Sequence, residues 1–260
     1  MPDRLTVFLT GASAGIGAAT ARRLAEAGDR LVLTARSEAA IGALADELNA
    51  AHGDGTAIAR RLDVTDAQAH LDVVAGLPDD WRAVDAAVLN AGLALNLVPV
   101  WENSTEEVDR MIDTNVKGVV NGLRALVPGM LARERGHVVT LGSTAGHAVY
   151  AGGVVYCASK HAVLALTEGL KVDLHGTPLR VSAVSPGIVE TEFSRVRFDG
   201  DDARAEAVYA DTTALTAEDC AEAIAYCLHA PERVNVAEVL ITPRVQSGYT
   251  MIARGPEHTR

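Results

Sequence analysis

Short, continuous apolar runs alternate along this chain with longer segments whose apolar residues recur at helical spacing, and few architectures accept that alternation. The runs are LTVFLT (5–10), RLVLTA (30–35), TAIARRLDV (56–64), VDAAVLN (84–90), HVVTLGS (137–143), LRVSAVSPG (179–187) and VAEVLIT (236–242). Helices are expected from the first run to Gly28, from Glu38 to about Ala51, and from the third run to about Leu77. Further ones are expected from about Ser104 to Arg133, from about Gly153 to His175, and from Thr216 to His229. Several runs lack the alternation of a half-wet strand, which predicts strands buried on both faces and hence a parallel sheet between helix layers. Right-handed crossovers then give one α/β domain over 1–260, a Rossmann-type doubly wound parallel sheet of seven strands with helices on both faces. A chain of 260 residues is long enough to give such a sheet a large core.

Charge and composition remove several function classes. A formal net charge of −11 opposes phosphate-rich partners, so neither nucleic acid nor an anionic membrane is expected. No secretory leader is recognisable and no apolar run approaches about 18 residues, so a cytoplasmic protein is expected. Cys157, Cys220 and Cys227 lack CxxC spacing and read as small packing residues. The histidines form no HExxH, and no catalytic metal is expected.

Doubly wound sheets bind ligands beyond the carboxyl ends of their strands. The residues there are TGASAGIG, ARS, LDV, LNAG, LGS and VSPG, rich in glycine and small polar groups. TGASAGIG follows the first strand and opens a helix, where glycines let backbone approach a pyrophosphate and the helix N-terminus supplies free N–H groups. Its Gly11, Gly15 and Gly17 read GxxxGxG rather than GxGxxG, and a strand-to-helix turn without a ligand is the competing reading. Arg36 stands where an NAD-binding fold has an acid for the ribose hydroxyls. An arginine there suits a 2′-phosphate and favours NADP, against the alternative of a solvated side chain. Asp63 can serve the adenine side, while Asp66 reads as a helix N-cap. Residues 190–214 form a long polar insertion of a length that is usually functional or mobile.

With TGASAGIG, LNAG, Asn115 in DTNVKG, Ser143 in GSTAG, YCASK (156–160) and SPGIVETEF in order, the chain resembles the short-chain dehydrogenase/reductase family over essentially its full length. AGLAL (91–95), MIDTNVKG (111–118), GSTAGHAVYAGG (142–153), DLHGTPLRV (173–181) and TEFSRVRFDGDDA (191–203) are similar to its branch of NADP-dependent 3-hydroxy acid dehydrogenases. That branch includes serine dehydrogenases that double as malonic semialdehyde reductases. Leu89 stands where the family usually has Asn, Val154 replaces a polar residue, and SPGIVETEF is one residue short; the last two bear on the substrate pocket.

The resemblance implies hydride transfer between NADP and a small alcohol or carbonyl substrate, most plausibly a small 3-hydroxy acid such as serine or 3-hydroxypropionate. A bulkier ketone or aldehyde is the alternative, and a non-catalytic NADP sensor is one from another class. The resemblance assigns catalysis to Asn115, Ser143, Tyr156 and Lys160. Cofactor contacts fall to Gly11, Ser13, Gly15, Ile16, Gly17, Arg36, Asp63, Val64, Asn90, Ala91, Gly92, Pro186, Gly187, Ile188 and Thr191, with Tyr156 and Lys160 shared. Lys160 is expected to bond the nicotinamide ribose, Ser143 the substrate oxygen, and Asn115 a water leading to Lys160.

Tyr156 is then the acid or base. Bringing a phenol from about 10 to neutrality needs roughly 4 kcal/mol, which an ammonium about 4 Å away can supply at an effective dielectric near 20. Lys160, one helical turn on, is the expected source. Single-residue alternatives stay open: a strand terminus for Ser143, a polar break in a long helix for Asn115, an exposed i,i+4 pair for Tyr156 and Lys160. The 190–214 insertion is expected to be a substrate lid, with Arg195 or Arg197 pairing a substrate carboxylate and at least one of them simply solvated. Tyr150, Leu93 and Leu95 are expected near the pocket, His147 there or in a partly exposed loop, and Trp81 and Trp101 in packing. The resemblance also implies a homotetramer built on the helices beginning near Ser104 and Gly153 and on the final strand region.

Overall fold

The computed structural model describes residues 4–255 and residue 258. Strands β1 (Thr6–Thr10), β2 (Arg30–Ala35), β3 (Ala57–Arg61), β4 (Ala86–Leu89), β5 (His137–Leu141), β6 (Arg180–Pro186) and β7 (Glu238–Ile241) form one sheet in the order β3-β2-β1-β4-β5-β6-β7. Every pairing in it is parallel. The order reverses between β1 and β4, so the crevice for a ligand opens above these two strands.

Strand β1 shows why the runs are continuous. Val7 and Leu9 enter one apolar layer with α1 (Gly15–Glu26) and α2 (Glu38–His52), while Phe8 enters the opposite layer. Helix α9 (Ala217–His229) joins the first layer. The second is covered by α3 (Ala67–Ala75), α5 (Gly118–Ala132) and α6 (Val154–Asp173). Burial on both faces leaves no position for a polar alternate. At the edge, β7 is half-exposed and begins with Glu238.

The helix expected from Ser104 to Arg133 is interrupted. It starts as α4 (Thr105–Ile112), behind a capping box in which Ser104 Oγ accepts from Glu107 N at 3.2 Å and Glu107 Oε2 accepts from Ser104 N at 2.9 Å. A π-helical turn, Asp113–Lys117, then precedes α5, and the extra residue per turn swings Asn115 into the interior. Periodicity could not reveal this, since one widened turn barely disturbs a helical pattern. The polar insertion holds two short helices, α7 (Phe193–Arg197) and α8 (Asp202–Tyr209), and a small antiparallel pair, β8 (Gln246–Ser247) with β9 (Met251–Ile252), follows the sheet.

Candidate active site

The turn after β1 is shaped by backbone. Gly11 (φ +68°) and Gly15 (φ +52°) occupy the left-handed region that side chains disfavour. At Gly17 an added Cβ would run into the Gly11 carbonyl oxygen and the Asn90 carboxamide. Asn90 fixes the turn from β4: its Nδ2 donates to the Thr10 and Gly11 carbonyls at 3.0 and 3.2 Å. Asn90 N and Ala91 N both donate to Thr10 Oγ1, at 3.0 and 3.1 Å. Helix α1 begins after Ala14 with no side-chain cap and no acid in its first turn, so its amides and positive dipole end stay available. Ser13 is exposed and Ile16 half-buried along this turn, and Thr191 lies across from Gly15, 3.5 Å from where a Cβ would stand. The cradle fits a pyrophosphate.

Arg36 is exposed at the end of β2. Asp63 Oδ1 accepts from Thr65 N at 3.0 Å and Thr65 Oγ1 at 2.8 Å. Burial acts to raise this carboxyl, but the Thr65 hydrogen bonds and the Arg36 and Arg61 guanidinium groups outweigh it and hold the carboxyl below its usual range. Val64 packs against Gly118, where a Cβ would meet its Cγ2 at 2.9 Å, and Asp66 caps α3 through Gln68 N and Ala69 N.

Asn115 from the π turn, Ser143 after β5, and Tyr156 and Lys160 one turn apart on α6 are all buried around one cleft. Gly92 lies beside two of them: a Cβ there would be 3.3 Å from Asn115 Oδ1 and 3.6 Å from Lys160 Nζ. Asn115 accepts from Leu93 N at 2.8 Å and donates to the Leu93 carbonyl at 2.8 Å and to Ser159 Oγ at 2.9 Å. Its carboxamide therefore serves as a brace, with both N–H donors used. Ser143 Oγ accepts from Ala145 N at 3.1 Å.

The expected electrostatics of the phenol need correction. Lys160 Nζ donates to the Leu141 carbonyl at 2.7 Å and lies 5.9 Å from the centre of the Tyr156 ring. Burial pushes Tyr156 up to about 12, aided by Tyr150, while the Arg197 guanidinium and a hydrogen bond with Ser143 act in the opposite direction. Burial also brings Lys160 down to about 8. The phenol is thus held protonated. Lost solvation costs the anion more than nearby cations return, and the ammonium is directed at a carbonyl instead.

Arg197 is the cation that faces the phenol. Its Cζ lies 5.2 Å from the centre of the Tyr156 ring and 5.4 Å from that of Phe193, and its Nη2 donates to Tyr150 Oη at 2.9 Å. Its Nε is buried with no hydrogen-bond partner. Arg195, by contrast, points outward and is paired with Asp202 at 2.6 Å and Glu192 at 3.3 Å. The sequence offered the two arginines as equals; their positions on α7 separate them.

Leu93 and Leu95 pack in the same apolar cluster as Tyr156, with Tyr150 against it. His147 stacks on Tyr249 with ring centres 5.2 Å apart and its Nε2 is 2.7 Å from Glu238 Oε1, which ties it to the sheet edge. Trp81 is buried beneath Arg30, but Trp101 is 81% exposed on a 3₁₀ turn, contrary to its expected packing role. Hydrophobicity alone does not say which side of a short turn meets a core.

Gln246 was missed. Strand β6 ends at Pro186 and leads into Gly187 and Ile188, and Gln246 Oε1 accepts from Ile188 N at 2.9 Å. A Cβ on Gly187 would collide with the Gln246 side chain. A lone Gln near the C-terminus carries no motif, and only the fold brings it to this loop.

The family model for short chain dehydrogenases matches residues 5–202. A 3-hydroxy acid dehydrogenase of Salmonella typhi, YdfG, described as NADP-dependent, is 46% identical over 244 residues, covering 94% of this chain and 96% of the relative. Sulfoacetaldehyde reductase 2 of Chromohalobacter salexigens is 44% identical over 242 residues, covering 93% and 95%. The closed form of a serine dehydrogenase complexed with NADP+ superposes with a TM-score of 0.89 at 43% identity, covering 93% of this chain and 96% of that one. A glycine turn that fits a pyrophosphate, a buried Ser–Tyr–Lys cleft and similarity over nearly the whole length agree, and the chain belongs to the short-chain dehydrogenase family.

Proposed function

We propose that this protein is an NADP-dependent oxidoreductase that moves a hydride between nicotinamide and the CH–OH carbon of a small 3-hydroxy acid. The observation that carries the substrate class is Arg197, whose unpartnered, buried Nε lies beside Tyr156 and suits a substrate carboxylate. Similarity to the YdfG dehydrogenase and to the serine dehydrogenase complexed with NADP+ supports the cofactor and the reaction.

In this reading the turn of Gly11, Gly15 and Gly17 holds the pyrophosphate on the amides of α1, and Arg36 and Asp63 bind the adenosine end. Lys160 holds the nicotinamide ribose, and Pro186 to Ile188, braced by Gln246, orient the ring with Thr191. The bound cofactor would supply the hydride as NADPH or accept it as NADP+. Tyr156, proton-loaded at neutral pH, gives its Oη proton to a carbonyl oxygen that Ser143 also holds by hydrogen bond. In oxidation the same oxygen must first lose its own proton before it can take that of the substrate alcohol, and the Arg197 cation favours that loss. Leu93, Leu95 and Phe193 exclude water.

A guanidinium reads the oxyanion and not the atom behind it, so the similarity to a sulfoacetaldehyde reductase supports sulfonate-bearing aldehydes as a second reading. The proposal extends to a cytoplasmic homotetramer; among the described residues no helix is long and apolar enough to cross a membrane.

The test is NADPH absorbance against serine, 3-hydroxypropionate, malonic semialdehyde, sulfoacetaldehyde and bulky neutral ketones. Anionic three-carbon substrates should turn over best, and Tyr156→Phe should lose about 10²–10⁴-fold in kcat while still binding NADPH. Activity confined to bulky neutral ketones would remove the substrate assignment.

A further inference from the structure

Arg61, which no motif singles out, stands next to the end of β2. Strands β2 and β3 pair in register with Ala35 opposite Arg61, so Arg61 is the lateral neighbour of the residue just before Arg36. Along β3, Ala57 and Ala59 pack into the layer of α1 and α2 while Ile58 packs into the other. The period of two therefore puts Arg61 on the α1/α2 side of the sheet, the side on which the glycine turn enters α1 and Ser37 caps α2.

Other arginines on this half of the sheet and its helices are engaged. Arg22 pairs with Glu47 at 2.7 Å, Arg30 with Asp80 at 2.7 Å, and Arg60 donates to the Ala59 carbonyl at 2.8 Å. Arg36 and Arg61 are both exposed, and among the described residues neither makes a hydrogen bond or ion pair. Both act on the same group, drawing the Asp63 carboxyl downward, in keeping with the strand register that sets them side by side. Asp63 and the exposed Glu38 at the start of α2 are the acids nearby. Asp63 Oδ1 already holds two hydrogen bonds from Thr65.

We propose that Arg61 is a second determinant of cofactor choice, closing with Arg36 on the 2′-phosphate of NADP. The inference rests on the NADP reading above. Two unpaired guanidinium groups on adjacent strand ends repel each other in a chain of net charge −11, and a phosphate dianion between them turns that repulsion into two charge-assisted contacts. A 2′-hydroxyl gains nothing from the second arginine. The clamp therefore acts on NADP against NAD rather than on dinucleotide binding in general.

The experiment is calorimetric titration of wild type, Arg61→Ala, Arg61→Lys and Arg36→Ala with 2′,5′-ADP, 5′-ADP, NADP and NAD at two salt concentrations, with no turnover involved. Arg61→Ala should weaken 2′,5′-ADP and NADP about 10-fold, leave 5′-ADP and NAD within about 2-fold, and flatten the salt dependence; Arg61→Lys should restore part of the loss. Equal weakening of all four ligands, or of none, overturns the role of Arg61. If Arg36→Ala alone abolishes the preference, the cofactor reading survives and Arg61 is a solvated surface residue. If wild type binds 2′,5′-ADP and 5′-ADP equally, the cofactor reading fails and takes the clamp with it.

Discussion

The turn after β1 and the segment after β6 face the same cleft but are held in different ways. In the first, glycine backbone meets glycine backbone, and Gly17 has no room for even one carbon because the Gly11 carbonyl occupies the space. In the second, side chains form the anchors. Tyr209 Oη donates to the Val189 carbonyl at 3.0 Å and lies 2.6 Å from Ser194 Oγ, Arg197 reaches Tyr150, and the Arg197 carbonyl accepts from Asn96 N at 2.8 Å. A backbone-built turn suits a ligand feature that every dinucleotide shares. A segment anchored by side chains can be changed one residue at a time, and in the proposed role of a lid would suit selection among substrates.

If the two regions rest on one floor, acid should release them together, and this is the largest effect expected. His137, buried in β5 with Nε2 2.8 Å from Ser182 Oγ, is held down to about 3 by burial and by Arg180. Between that value and an unfolded value near about 6.5, only the unfolded chain takes the proton, so stability complete above about pH 6.5 falls as pH drops toward 3. The loss is on the order of 4–5 kcal/mol. Urea unfolding at pH 7 and pH 4, followed by tryptophan fluorescence and by NADPH affinity, should show one shared transition; His137→Gln should flatten the pH dependence.

Gly17→Ala should separate the regions. Overpacking against backbone typically costs about 1–3 kcal/mol, and dinucleotide affinity should drop about 10- to 100-fold. Isothermal titration showing unchanged NADPH affinity would break the contrast.

Arg197→Ala should act on the other side, raising KM for a hydroxy acid about 10- to 100-fold while NADPH affinity stays within about twofold; Arg195→Ala should leave both within about twofold. Steady-state kinetics with acid and neutral substrates checks the pair.

The smallest effect belongs to Tyr209→Phe, which keeps the ring and deletes the anchor to Val189. KM should rise about 2- to 10-fold at constant NADPH affinity, and an equal change in both would mean that the lid and the turn are coupled.

The sheet was legible because its signal is local. Continuous apolar runs mean two buried faces wherever they occur, and Gly11, Gly15 and Gly17 announce a backbone site by their spacing. The four cleft residues were legible as motifs, yet their electrostatics were not. Placing Lys160 one turn after Tyr156 says nothing of the Leu141 carbonyl that captures its Nζ. The burial of Asn115 against Leu93 and Ser159 and the reach of Gln246 to Ile188 share that character, since each depends on a partner distant in the chain, and Trp101 is exposed because, among the described residues, the fold brings no partner to it.

By itself, the sequence determined the architecture, the glycine turn and which polar residues are available to the cleft, since hydrophobic period and glycine spacing act over a few neighbouring residues. Tertiary structure alone decided that Arg197 rather than Lys160 is the cation acting on the phenol, that Arg195 is occupied elsewhere, and that Arg61 stands opposite Ala35, next to Arg36. Charge interactions depend on distance and on lost water, and both are set only when separate strands and helices meet.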